Sequence, residues 1–298
     1  MAFSRMNRLV LGTAGLGGVW RKVDAIASVQ TILLALEQGI SAIDTAPAYG
    51  DAEEFIGSAL KQWTGDKPLI STKAGRLKSY RADEAHYDYS SEGMKRSVEN
   101  SLQTLGVSAV DLLFLHDPSA IPEAEIEQVL QQMQDLKAQG YTKKIGLGGN
   151  APEFMEPYLE GQLFDVVMEY NKLNACCIDA LSTTVPFYIE SGKEYYAASP
   201  LNMGLLGSNF SGFTADPPDW LDLNSVEQAK KLHKMAEGYD ISLATLAHRF
   251  MINLPYPVKI VIGAADPQQL ADTLLAFHAG PLPSTLYFHI LQALSIKI

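Results

Sequence analysis

The sequence predicts an α/β chain folded as a (β/α)8 barrel, with its active site at the carboxyl ends of the strands. Three observations lead there. Eight short β-rich runs recur along the chain, segments with helical spacing separate them, and polar groups stand where several of the apolar runs stop. Alternating strands and helices, with nearly continuous apolar strands, are the pattern of parallel βαβ units, and eight such units imply a closed barrel. The 298 residues fit the roughly 250 typical of that fold plus a modest extension. A single domain, 1–298, is expected, because no Gly/Ser linker, charge block or low-complexity tract marks a boundary.

In chain order the strands are expected at Leu9–Gly12, Ile40–Asp44, Leu69–Lys73, Val110–His116, Lys144–Leu147, Asp165–Tyr170, Glu194–Ala198 and Val258–Ile262. Helical spacing joins Ile26, Val29, Leu33 and Leu36, and again Val98, Leu102 and Leu105. Leu205–Leu223 is rich in Gly and Pro and contains Pro217-Pro218-Asp219-Trp220. It reads as a loop over the barrel mouth, and loops of that length are usually functional or mobile.

A formal charge of -11 with no basic stripe argues against a nucleic-acid face. No run approaches the ~18 apolar residues of a membrane span. Arg5 and Arg8 precede Leu9-Val10-Leu11, but that run dissolves into Gly15, Gly17 and Gly18 with no small-residue cleavage site, so a secretory leader is not expected. Cys176 and Cys177 are adjacent and expected in a helical segment, a poor geometry for an ordinary disulfide. A reduced, cytoplasmic protein follows; the oligomeric state is left open.

The chemistry is concentrated in four groups. Asp44 ends one strand with Tyr49 just beyond it, Lys73 ends another, and His116 ends a third. The carboxyl ends of parallel barrel strands share one face. A phenol with an ordinary pKa of about 10 becomes a useful acid–base group when a neighbouring cation lowers it. Lys73 is expected to do this, Asp44 to hold Lys73 charged and oriented, and His116 to hydrogen-bond the reacting oxygen. A proton delivered to a carbonyl oxygen needs a hydride delivered to its carbon. No side chain supplies hydride, so a nicotinamide or similar cofactor is implied.

Asp-Thr-Ala-Pro-Ala-Tyr-Gly at 44–50, Ser-Thr-Lys at 71–73 and Leu-Leu-Phe-Leu-His at 112–116 together resemble the tetrad of the aldo-keto reductases, (β/α)8 oxidoreductases that use NAD(P)(H). The resemblance runs in order over nearly the whole chain. It implies that Tyr49 is the catalytic acid/base, Lys73 lowers its pKa, Asp44 pairs with Lys73, and His116 binds and polarises substrate. It also implies cofactor contacts at Asn150, Ser199, Leu201, Gly263, Gln269 and Asp272. Three departures stand out. Gly149 replaces a serine beside Asn150, the family's carboxamide-binding glutamine falls near Met168 or Glu169 and is missing, and Ala198 replaces the tyrosine that stacks on nicotinamide. Gly263 and Gln269 occupy places where NADP-preferring members carry cations for the 2′-phosphate. Charge-assisted hydrogen bonds are the strong ones, so NAD is favoured over NADP.

Ala198–Leu206, Pro217–Trp220 and Thr72–Arg76 further resemble the L-galactose, L-fucose and D-threo-aldose 1-dehydrogenases, which oxidise the anomeric carbon of a sugar. That implies a role in carbohydrate metabolism, a carbonyl or sugar substrate, and Trp20 and Trp220 as flat walls for a sugar's CH face. Rival readings exist. A lone Asp or Lys at a strand end makes a structural ion pair, and a lone His or Tyr fills a core. Gly146-Leu147-Gly148-Gly149-Asn150-Ala151 fits a Rossmann fingerprint. Asp44, His116 and Asp117 suggest a (β/α)8 metal hydrolase, although the other histidines share no metal-ligand spacing and no metal is expected. A non-catalytic, cofactor-binding regulatory protein would use the same fold.

Overall fold

The computed structural model describes residues 5–294. Eight strands run in the order β1 (Leu9–Gly12), β2 (Ala42–Asp44), β3 (Leu69–Ala74), β4 (Val110–His116), β5 (Thr142–Gly148), β6 (Val166–Tyr170), β7 (Glu194–Ala198) and β8 (Lys259–Gly263). Each pairs in parallel with the next, and β8 returns to β1 through Leu9↔Ile260 to Gly12↔Gly263, which closes the barrel. The predicted fold class is the observed one, and every expected strand forms within two residues of its expected ends. The late start of β2 has a local cause. Ile40 N–H donates to Ala35 O to close the preceding helix, with Gly39 at φ 84°, so it is not free for the ladder.

Around the barrel lie α1 (Ala25–Glu37), α2 (Ala52–Gln62), α3 (Ser91–Leu105), α4 (Ile126–Ala138), α5 (Glu156–Glu160), α6 (Thr184–Glu190), α7 (Phe210–Ala215), α8 (Leu223–Gly238), α9 (Leu243–Asn253), α10 (Pro267–His278) and α11 (Ser284–Ala293). Side-chain caps start several of them: Asp24, Ser90, Asp222, Ser242 and Asp266 each accept from a backbone N–H of the first turn, satisfying donors the helix itself leaves free. The stripe Val98, Leu102 and Leu105 is buried. In α1 the buried face is Ser28, Thr31, Ile32, Ala35 and Leu36, whereas Ile26 is exposed. Leu36 of the expected stripe is buried and Val29 and Leu33 pack against the core, so only Ile26 lies off the buried face.

Two further expectations are corrected. Cys176 and Cys177 lie in a tight turn rather than a helix. Asn174 and Cys177 exchange backbone hydrogen bonds at 2.8 and 3.1 Å, and Asn174 Oδ1 accepts from both cysteine N–H groups, a side-chain competition that favours turns. Both thiols are free. The segment after β7 is not an open loop: Leu205 and Leu206 are buried, and α7 leans on α8 through Phe210 against His233, ring centroids 4.4 Å apart. No helix among the described residues is long and apolar enough to cross a membrane.

Strand alternation divides the core in two. Leu9, Leu11, Leu113, Leu115 and their like meet the helices, while Val10, Ala42, Leu112, Phe114, Val166, Met168, Tyr196 and Val261 fill the barrel interior. Phe114 is fully buried there, and a Cβ on Gly146 would lie 2.6 Å from its ring. Phe114 accounts for two glycines of the Rossmann-like run, since Gly146 and Gly148 clear space for it in a closed barrel, while Gly149, at φ 140°, lies against Pro118 and Asp117. Phe114→Ala is expected to cost about 3–5 kcal/mol and Gly146→Ala about 1–3 kcal/mol by overpacking. In urea unfolding of the double variant, the Gly146→Ala penalty should shrink once the ring is gone, leaving only the approach to Val166 O.

Candidate active site

Residues two apart on a strand face the same side, so Asp44 and Lys73 point into the barrel above the Ala42 and Ser71 positions. Register places Asp44 opposite Ser71 and Lys73 opposite Phe114. Lys73 Nζ donates to Asp44 Oδ2 at 2.6 Å and to Thr45 O at 2.9 Å, while Ser71 Oγ donates to Asp44 Oδ1 at 2.7 Å. Both ionic side chains are almost wholly buried, and a charge there needs a partner of this quality. Nζ also stands 5.6 Å from the centre of the Phe114 ring and 4.9 Å from that of Tyr49. His116, at the end of β4, meets Tyr49 edge to face with centroids 5.9 Å apart. The four groups named from sequence therefore converge at the carboxyl ends of β2, β3 and β4.

The electrostatics differ from expectation at Tyr49. Burial pushes its pKa up and the Asp44 carboxylate adds to this. Lys73 pulls it down, but the net shift is upward from the ordinary phenol value, so the free site holds a protonated phenol. Burial alone would lower the pKa of Lys73, yet Asp44 and Tyr49 more than offset it and hold the ammonium charged. Burial, with Lys73 and Arg76 nearby, drives His116 well below the usual imidazole range, so at neutral pH it is an uncharged hydrogen-bonding group.

The position of Tyr49 depends on two glycines whose role the sequence alone did not disclose. A side chain on Gly17 would collide with the Tyr49 carbonyl oxygen, and one on Gly50, at φ 60°, with the Gly17 carbonyl oxygen. Asp51 N–H donates to Gly17 O at 3.0 Å, pinning the tyrosine turn against the β1–α1 loop. Arg76 is not among the site residues expected from sequence, and Asp117 is expected only in the metal-hydrolase reading. They form an ion pair of 3.1 Å beside His116, and their signal was a charge just past each of two strand ends.

The six positions assigned to the cofactor lie on the other side of the mouth, after β5, after β7, at the end of β8 and on α10. Asn150 Oδ1 accepts from Tyr170 N at 3.2 Å, and its amide nitrogen donates to no described group. Ser199, Asn202 and Met203 all have positive φ (59°, 47° and 54°) in a tight turn closed by Asn202 N–H on Ser199 O at 2.9 Å. Gly263 opens onto free space. Gln269 Oε1 accepts from Ala265 N at 3.1 Å, and Asp272 from Gln268 at 2.9 Å. These positions fit a dinucleotide in chemistry: an amide with a free nitrogen for a carboxamide, a hydroxyl and backbone turn after β7 for phosphates, and uncharged groups around the Asp266-capped start of α10 for the far end. At the missing glutamine, Met168 faces the barrel interior, while Glu169 is buried in the outer layer, taking hydrogen bonds from Thr184 (3.0 Å) and Tyr195 (2.7 Å). Trp20 and Trp220 are each 56% exposed, and Trp220 packs edge-on against Phe213. The carboxylates of the metal-hydrolase reading are engaged elsewhere, Asp44 with Lys73 and Ser71, Asp117 with Arg76 and Tyr87; among the described residues no cluster of three or more His, Cys, Asp or Glu could hold a metal ion.

The Aldo/keto reductase family model matches residues 8–292. NADH-specific methylglyoxal reductase of Escherichia coli is 25% identical, over 92% of this chain and 90% of that protein. L-galactose dehydrogenase of Arabidopsis thaliana is 26% identical, over 91% and 84%. The solved structure of a glycerol dehydrogenase from Gluconobacter oxydans superposes with TM-score 0.76 and 25% identity, over 97% of this chain and 91% of that one. The chain belongs to the aldo/keto reductase family and is an NAD(P)-dependent oxidoreductase.

Asp44→Asn should leave the Lys73 ammonium buried without its counter-charge. A loss of about 3–5 kcal/mol in unfolding free energy is expected by denaturant titration.

Proposed function

We propose that Tyr49 is the proton donor and acceptor for a carbonyl or sugar C1, with Lys73 and Asp44 tuning it and His116 binding the reacting oxygen. A bound nicotinamide supplies or accepts the hydride, held through Asn150, Ser199, Leu201, Gly263, Gln269 and Asp272. The observation that carries this is the buried Lys73 ammonium, 2.6 Å from Asp44 and 4.9 Å from the Tyr49 ring centre. A charge so placed favours the phenolate whenever Tyr49 gives up its proton. Neutral His116 can hydrogen-bond a carbonyl oxygen without competing for that proton. Burial of the site excludes water from the transfer.

Support for a sugar C1 as substrate comes from the L-galactose dehydrogenase and D-threo-aldose 1-dehydrogenase among the relatives. We read NAD as preferred, since Gly263 and Gln269 offer no positive charge and Arg21, 3.6 Å from Asp266, is engaged by that carboxylate. We further propose one catalytic domain over 1–298, without a nucleic-acid partner, and a cytoplasmic setting consistent with two free thiols.

Tyr49→Phe is expected to lower kcat by about a hundredfold or more while nicotinamide binding, followed by protein fluorescence, is retained; an undiminished kcat would overturn the assignment. The upward shift of Tyr49 also sets a pH dependence. Carbonyl reduction needs the protonated phenol, so its rate should hold through neutrality and fall only above the ordinary phenol range. Oxidation needs the phenolate, so its rate should rise with pH; rate–pH profiles in both directions check the sign.

A further inference from the structure

Asp117 follows His116 directly, and the chain turns there through the left-handed region at φ 49°, a conformation that a non-glycine residue keeps only when its surroundings impose it. The surroundings do so. Asp117 N–H donates to Gly148 O at 3.0 Å, and the Tyr89 hydroxyl lies 2.8 Å from His116 O and 3.0 Å from Asp117 O. Tyr87 stacks on Tyr89 with centroids 5.7 Å apart. The turn brings the carboxylate back beside the imidazole.

Its two oxygens are treated differently. Oδ2 accepts from Arg76 Nη1 at 3.1 Å and from the Tyr87 hydroxyl at 3.2 Å, and Arg76 is anchored in turn on Ala82 O at 3.0 Å. Oδ1 receives no hydrogen bond from any described residue, and the side chain is 21% exposed. It lies 3.9 Å from His116 Nε2, too far for a bond between them. A donor and an acceptor at that separation suit oxygens on neighbouring carbons of one substrate.

We propose that Asp117 Oδ1 is a specificity-determining acceptor for the hydroxyl on the carbon next to the reacting carbon, so that the substrate class is α-hydroxy carbonyl compounds, including aldoses through their C2 hydroxyl. This rests on His116 holding the reacting oxygen. With that oxygen at Nε2, the next carbon's substituent meets a carboxylate oxygen whose lone pairs are unused. A hydroxyl donates to it, whereas a hydrogen or methyl group displaces its water and leaves it unpaired. Sites built to bond a substrate hydroxyl discriminate strongly against the analogue lacking it. Arg76 and Tyr87 hold the carboxylate so that Oδ1 stays aimed at the mouth.

The test compares kcat/KM for reduction of 2-hydroxypropanal, 3-hydroxypropanal and propanal by the wild-type enzyme with reduced nicotinamide. A preference for the 2-hydroxy compound of about tenfold or more over both others is expected. In Asp117→Ala the ratio should fall to near one. Asp117→Asn keeps the shape of the side chain and should fall part of the way, with thermal melting confirming that both variants are folded. Turnover of all three aldehydes without preference in the wild type would overturn the proposal, as would an equal loss on all three in both variants, which would make Asp117 a positioning residue for His116. Silence on all three, despite nicotinamide binding, would instead overturn the underlying assignment of the site.

Discussion

A fully charged ammonium held inside a barrel is the constraint to which much of this structure answers. Lys73 and Asp44 are both nearly inaccessible, and burial of either charge alone would cost several kcal/mol. The pairing is therefore supported from all sides: Ser71 on the second carboxylate oxygen, the Thr45 carbonyl on the ammonium and the Phe114 ring beneath it. Those supports impose conditions further out. Asp44 must lie opposite Ser71 in the ladder, and Gly146 must lack a side chain so that Phe114 fits.

Above that pair, each functional group sits in a balance of opposing effects. Burial drives Tyr49 towards its protonated form while Lys73 favours the phenolate, and in the free site burial prevails. The same burial, helped by two cations, keeps His116 neutral. One buried positive charge thus separates the roles of a proton-transferring phenol and a hydrogen-bonding imidazole. Asp117, at the rim, is compensated by Arg76 on one oxygen only, which leaves the other available.

Much of the barrel was legible because apolar runs ending in polar residues are strongly patterned, and parallel strands buried on both faces leave little room for another assignment. The convergence of Asp44, Tyr49, Lys73 and His116 followed from their common position at strand ends. Where the sequence misled, a local contact decided otherwise. The Asn174 side chain made a turn of the cysteine pair, and Phe210 found His233 on α8. Arg76 and Asp117 meet across 41 residues of chain, a partnership no spacing rule announces.

By itself, the sequence determined the order of strands and helices, the eightfold repetition that closes the barrel and the family resemblance carried by the tetrad, because these depend on residue type and periodicity along the chain. Only the tertiary structure decided the direction of the Tyr49 shift, the packing of Gly17 against the tyrosine turn, the outward burial of Glu169 and the unshared oxygen of Asp117. Each of those is a balance of desolvation, charge and steric contact between segments distant in sequence, and such a balance has no value until the distances exist.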